Sequence, residues 1–153
     1  MKINYFFIPL LVAFVAWGGN IFTNNGMDWY KTLNLPDLAP DGSVIGAVWT
    51  LIFLLFTISV LSFWNSKPKN DNFNLIAFLF LANAVLNTFW SYLFFTLQQI
   101  DWSLIEMTIL NLTNLLLILF LWKKNLLSAV LLIPYFLWVT FATYLSCLIL
   151  AIN

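Results

Sequence analysis

The sequence has no arginine, no histidine and a single cysteine, and only 8% of its 153 residues are charged. A soluble domain carries charge on roughly a quarter of its residues. Six lysines balance six acidic residues, so the net charge is zero. That balance excludes a basic surface for nucleic acid. Without histidine there is no imidazole acid–base catalysis, no histidine metal site and no histidine haem ligand. Cys147 alone forms neither an internal disulfide nor a cysteine cluster. What remains is apolar: 63% hydrophobic residues, 19% aromatics and a mean hydropathy of +0.94. The composition is that of a protein that crosses the membrane several times.

The gaps between charges give the number of crossings. Residues 3–27, 42–66, 72–100 and 125–153 carry no charge, and 102–122 carry only Glu106. A helix spanning ~30 Å of hydrocarbon at ~1.5 Å per residue needs about 20 apolar residues. The runs predict an all-α bundle of five transmembrane helices in one membrane domain over 1–153, with spans near 3–22, 44–64, 73–97, 102–122 and 126–150. They lack the alternation of barrel strands and are too long for them. Lys2, the apolar run behind it, Ala16 and Gly18 also fit a cleaved signal sequence. Trp17 at the cleavage site, and apolar character reaching Ile21 and Phe22, favour a retained span.

With five spans, Lys2, Lys67, Lys69, Lys123 and Lys124 share one side and Lys31 lies on the other. The positive-inside rule then puts the N-terminus in the cytoplasm and the C-terminus outside. Fifteen asparagines and no arginine fit an AT-rich bacterial genome, hence a bacterial cell membrane. The first loop, 23–43, is expected to be long. Trp29, Tyr30, Pro36 and Pro40 make it either an aromatic anchor at headgroup depth or a lid over the outer mouth.

Polar residues inside the spans carry the functional signal. Asn83, Asn87, Trp90, Ser91 and Phe94 fall on one face of the third span. A buried amide must be hydrogen-bonded, so that face looks at protein, water or ligand rather than lipid. Pro134, Trp138, Ala142 and Leu145 form a comparable stripe in the fifth span, and Trp49, Phe53 and Phe56 another in the second. Together they suggest an aromatic cavity in the outer leaflet, with Trp138 as its floor. Glu106 lies ~6 Å along the helix from Trp102, shallow enough for its carboxyl to be solvated or protonated. Its sharper alternative is a ligand or proton site. Asn111 and Asn114 are expected to bond between helices.

Four motifs in order resemble the TspO/MBR family, the tryptophan-rich sensory proteins related to the mitochondrial translocator protein. They are Trp29-Tyr30-x-x-Leu33-x-x-Pro36-x-x-x-Pro40, Trp49, Asn83-x-x-x-Asn87-x-x-Trp90-Ser91-x-x-Phe94-Phe95, and Pro134-Tyr135-x-x-Trp138-x-x-Phe141-Ala142-x-x-Leu145. The resemblance implies a five-helix bundle, often a homodimer, that binds porphyrins such as protoporphyrin IX and other flat apolar ligands. It requires no cofactor and no metal. It implies a ligand pocket of Tyr30, Pro40, Ile45, Trp49, Phe53, Asn87, Trp90, Met107, Trp138, Ala142 and Leu145. Some members are associated with light-dependent porphyrin breakdown, for which Trp49 and Trp138 are the candidate photochemical residues here. The chain departs from the family at Leu38, Asp41 and Ser146, and no Lys or Arg follows Lys124, as the animal sterol motif requires. Three functions follow: a porphyrin receptor or carrier tied to tetrapyrrole regulation or stress signalling, a light-dependent porphyrin-degrading enzyme, and a structural or regulatory membrane subunit.

Overall fold

The computed structural model describes residues 3–66 and 72–153. Within them, five helices are long and apolar enough to cross a membrane. They are α1 (Asn4–Tyr30), α2 (Gly42–Asn65), α3 (Phe73–Ser91), α4 (Ile100–Trp122) and α5 (Leu126–Ile152). Backbone amides in hydrocarbon have no water to bond, so runs of this length close their hydrogen bonds internally as helices. The chain is an all-α integral membrane protein. Lys2, Lys67, Pro68 and Lys69 lie outside the described residues.

The helices form a closed ring in the order α1, α2, α5, α4, α3, each packed against the next. One end of the bundle, its base, gathers the start of α1, the end of α2, the start of α3 and the α4–α5 junction. The other end, its mouth, gathers the α1–α2 and α3–α4 connections and the end of α5. Lipid-facing positions such as Phe6, Phe14, Trp17, Phe78, Leu119 and Leu137 are exposed, because nothing but hydrocarbon has to cover them. Polar pins hold the base. Asn4 Nδ2 donates to Asn65 Oδ1 at 3.0 Å. Ser59 Oγ donates to the Ser128 carbonyl and Ser128 Oγ to the Ser59 carbonyl, both at 2.9 Å. Small serines on both sides let α2 and α5 approach this closely. The Asn125 side chain caps α5 by accepting from the Ser128 amide at 3.0 Å.

α1 runs well past the expected end of the first span. Residues 23–30, read as loop from their polar content, are helical, and Trp29 and Tyr30 form the last turn. The cause is packing. Gly26 is buried where α1 crosses the segment Tyr92–Thr96 that follows α3, and a Cβ there would run into the Phe95 carbonyl. Trp29 and Tyr30 then lie with ring centroids 5.7 and 6.1 Å from Phe94. Both are half-buried and pack on the bundle.

α3 ends in a π turn, Tyr92–Thr96, where the Leu97 amide donates to the Tyr92 carbonyl at 2.9 Å. The chain reverses at Gln98, whose φ of 57° is left-handed. π turns of this kind concentrate at functional sites.

Candidate functional site

The connector between α1 and α2 folds back onto the mouth. Leu33 and Ala39 pack against the buried cluster of Phe94, Phe95, Ile100, Leu145 and Ile149, alongside Trp29, Tyr30 and Trp90. The Ala39 amide donates to the Pro36 carbonyl at 2.8 Å, a tight turn with proline at its start. Asn153 fixes the connector from the opposite side of the mouth. Its Oδ1 accepts from the Asn34 amide at 2.9 Å, and its Nδ2 donates to the Asn34 carbonyl at 3.0 Å.

Below this cover, hydrogen bonds between helices set their relative heights. Asn83 Nδ2 donates to Thr113 Oγ1 at 2.8 Å and to Asn114 Oδ1 at 2.9 Å. Asn87 Nδ2 donates to the Tyr135 hydroxyl at 2.8 Å. Asn111 Nδ2 donates to Thr140 Oγ1 at 2.8 Å. Asn83, Asn87, Ser91 and Phe94 are all buried, as the spacing along the third span requires.

Counting ~1.5 Å per residue from these anchors toward the mouth aligns four side chains. Trp90 stands about 10 Å above Asn83, and Glu106 about 12 Å above Asn114. Trp49 and Trp138 stand about 15 Å above the Ser59–Ser128 pair. Since Tyr135 is level with Asn87, Trp138 also comes level with Trp90. One layer of the bundle thus holds Trp49 of α2, Trp90 of α3, Glu106 of α4 and Trp138 of α5.

Aromatic contacts tie the layer to its surroundings. Trp49 lies 5.7 Å from Phe53 and meets Tyr135 edge-on at 6.0 Å. Trp90 stacks on Phe94 at 5.5 Å. Trp138 lies 5.6 Å from Phe141. Trp49, Phe53, Trp90, Trp138 and Ala142 are half-buried against a core that contains Met107, Ile52, Phe56, Leu110, Tyr135 and Val139. Tyr30 and Leu145 belong to the cluster under the connector. Pro40 and Ile45 are half-buried where the connector enters α2.

Of the sequence expectation of a solvated or protonated carboxyl at Glu106, the solvated form is overturned. The residue is 5% exposed, and both carboxylate oxygens are buried without a hydrogen-bond partner. Glu106 and Thr113 are seven residues apart, about two helical turns, so they share the face of α4 that meets α3. Helical direction, not depth, takes the carboxyl away from the interface. Trp90 Nε1 and Trp138 Nε1 are likewise buried without partners.

Pro134 also departs from its expected role. It is exposed and α5 continues through it, while its neighbour Tyr135 occupies the core. Tyr135 touches Trp49, Phe56 and Asn87 and is the central site residue that the stripe reading passed over. The signal was the adjacent position: an aromatic hydroxyl in an apolar run needs a polar partner.

A cavity lies toward the base, apart from the tryptophan layer. It has a volume of ≈ 630 Å³ and opens between α1, α2 and α3, walled by Val12, Phe56, Val60 and Phe80. Of the residues chosen from the sequence, Phe53 and Asn87 border it, and Tyr135 closes it. The three tryptophans of the layer lie nearer the mouth. Among the described residues no group of His, Cys, Asp or Glu is arranged to hold a metal ion.

Residues 7–151 match the TspO/MBR family, nearly the whole of the described bundle. The chain belongs to the TspO/MBR family. It is 40% identical over 151 residues to the tryptophan-rich protein TspO of Bacillus cereus, covering 94% of this chain and 95% of the relative. It is 30% identical over 140 residues to the TspO of Chlorobaculum tepidum, covering 91% and 89%. The human translocator protein is 25% identical over 139 residues, covering 90% and 81%. This TspO/MBR chain therefore shares nearly its full length with bacterial members and most of it with an animal one.

Proposed function

We propose that the protein is a membrane receptor or carrier for porphyrins of the protoporphyrin IX type and for other flat apolar ligands. The observation that carries this reading is the layer of Trp49, Trp90 and Trp138 on three different helices, beneath a connector pinned at Asn34 and Asn153. Indole faces and apolar walls suit a tetrapyrrole plane, and the Asn87–Tyr135 pair places polar atoms at the lower edge. Pro40, Ile45, Phe53, Met107, Ala142 and Leu145 complete the walls, and Tyr30 the upper rim. Family membership supports a role in tetrapyrrole regulation or stress signalling. The N-terminus faces the cytoplasm on this reading, the C-terminus faces outward, and the chain can pair as a homodimer.

A light-dependent porphyrin-degrading activity is the second reading. It is favoured by the placing of two oxidisable indoles, Trp49 and Trp138, in the same layer. Titration of purified protein with protoporphyrin IX in the dark, followed by illumination in air, separates the readings. Saturable quenching of tryptophan fluorescence with no new product supports the receptor. Saturable binding with product formed only under light supports the enzyme. Absence of binding leaves a structural or regulatory subunit.

A further inference from the structure

The ≈ 630 Å³ cavity toward the base lies outside the tryptophan layer and has the shape of a slot along the helices. α1 and α3 meet above it. There the Thr88 hydroxyl donates to the Val15 carbonyl at 3.3 Å, and Gly18 and Gly19 bring α1 against Thr88 and Ser91. The lining of α1 ends at Val15 and that of α3 at Asn87, both on the base side of this contact. Phe7 and Leu11 on one edge, and Phe78 and Leu81 on the other, are exposed, so the slot opens sideways into hydrocarbon rather than to water. Its inner wall of Val12, Phe56 and Phe80 is buried.

Two helices give the same depth. Asn4 to Val15 on α1 and Trp64 to Phe53 on α2 each span about 16 Å of helical rise. One leaflet of a bilayer contributes ~15 Å of hydrocarbon, half of the ~30 Å core. Polar markers stand at the base end, where Asn4 bonds Asn65 and Trp64 sits at a span end, the usual depth of an interfacial tryptophan. At the far end the amide N–H groups of Asn83 and Asn87 are already engaged by α4 and by Tyr135. A ligand with polar groups along its length finds no partners between these ends. An empty slot forfeits dispersion contacts along its whole lining.

We infer that the slot holds one acyl chain of a phospholipid from the leaflet on the base side. The chain enters between α1 and α3, and the headgroup stays outside beside Asn4 and Trp64. Lipid tails are the solvent at this depth, so filling the slot restores contacts without a hydrophobic driving force. At ~1.2 Å per bond of an extended chain, 16 Å takes roughly 13 bonds, so an ordinary acyl tail reaches Tyr135. The inference does not depend on the porphyrin reading.

The test reconstitutes the full chain in phosphatidylcholine vesicles with a trace of phosphatidylcholine carrying a diazirine in its tail, near carbon ~4 or ~13. Illumination cross-links the tail, and peptide mass spectrometry locates the labels. The shallow probe should mark Asn4–Ile8, and the deep probe Val15, Phe53 and Tyr135, with buried Phe56 and Phe80 labelled between them. Labels confined to lipid-facing positions such as Leu119 and Leu137 overturn the inference. Ala84 is buried in the wall, so Ala84→Phe should abolish deep labelling while Leu137 stays labelled. Val60→Phe, nearer the entrance, should do the same and guards against a packing fault in the first variant. Deep labelling that survives both substitutions overturns the inference. Loss of deep labelling when cholesterol is added to the vesicles would assign the slot to a flat sterol and overturn the acyl chain.

Discussion

Asn83 is fully buried and serves two partners at once, Thr113 and Asn114 on the facing helix. Its burial was readable from the chain alone, because an amide in mid-span must find a partner and helical spacing put Asn87 and Trp90 on the same face, but whether that partner is protein or ligand was not. Replacing Asn83 with Leu keeps the volume but removes the donor to Asn114 Oδ1 and to Thr113 Oγ1, although the Thr113 hydroxyl keeps its own bond to the Leu110 carbonyl. We expect a loss of about 1–2 kcal/mol, measured as earlier unfolding in detergent, whereas Asn111→Leu at the half-buried edge should cost less. Glu106 was harder to read. Its position along the helix is plain from the sequence, but its direction around the axis depends on which neighbour α4 meets, and that is a property of the assembled ring. Tyr135 was hidden for a similar reason, since a helical stripe drawn through Pro134 misses it by one residue.

Among the elements, α1 is the least buried helix and the one whose length was misjudged. Asn24, Asn25, Gly26 and Asp28 look like the start of a loop, and only contact with the π turn keeps them helical. Gly26→Ala should force α1 away from Phe95 and cost several kcal/mol, while Gly46→Ala, with open space around it, should be neutral or mildly stabilising. Thermal unfolding of both variants checks this. The connector over the mouth spans fewer residues than the sequence suggested, yet its anchors are few: Asn34 on Asn153, and Leu33 and Ala39 on the Phe94 cluster. Hydrogen exchange across residues 31–41 should slow when a porphyrin fills the layer below. Equal exchange with and without saturating ligand would reduce the connector to a fixed anchor.

At the scale of the whole molecule, the five spans were legible because charge is excluded from hydrocarbon, so gaps between charged residues mark crossings. The lysine asymmetry leads us to expect an orientation with the N-terminus in the cytoplasm. Reporter fusions after Lys67 and Lys124 should read cytoplasmic, and fusions after Asn34 and Asn153 external. The sequence grouped Trp49, Trp90 and Trp138 in one outer cavity but set Trp138 lower, as its floor, and left Glu106 out, because their common height depends on which residues of neighbouring helices lie side by side. It did not disclose the separate apolar cavity nearer the base.

The central claim is that the tryptophan layer, not that cavity, holds the porphyrin. Trp64 lines the cavity, while Trp49 and Trp138 belong to the layer, so one set of dark protoporphyrin IX titrations decides between them. Loss of an indole stacking contact costs on the order of 1 kcal/mol, or roughly fivefold in affinity. Trp49→Phe and Trp138→Phe should each weaken binding by about that factor. Trp64→Phe, and Trp122→Phe at the exposed end of α4, should leave it unchanged. Weakening confined to Trp64→Phe, or no difference among the four variants, would contradict the account.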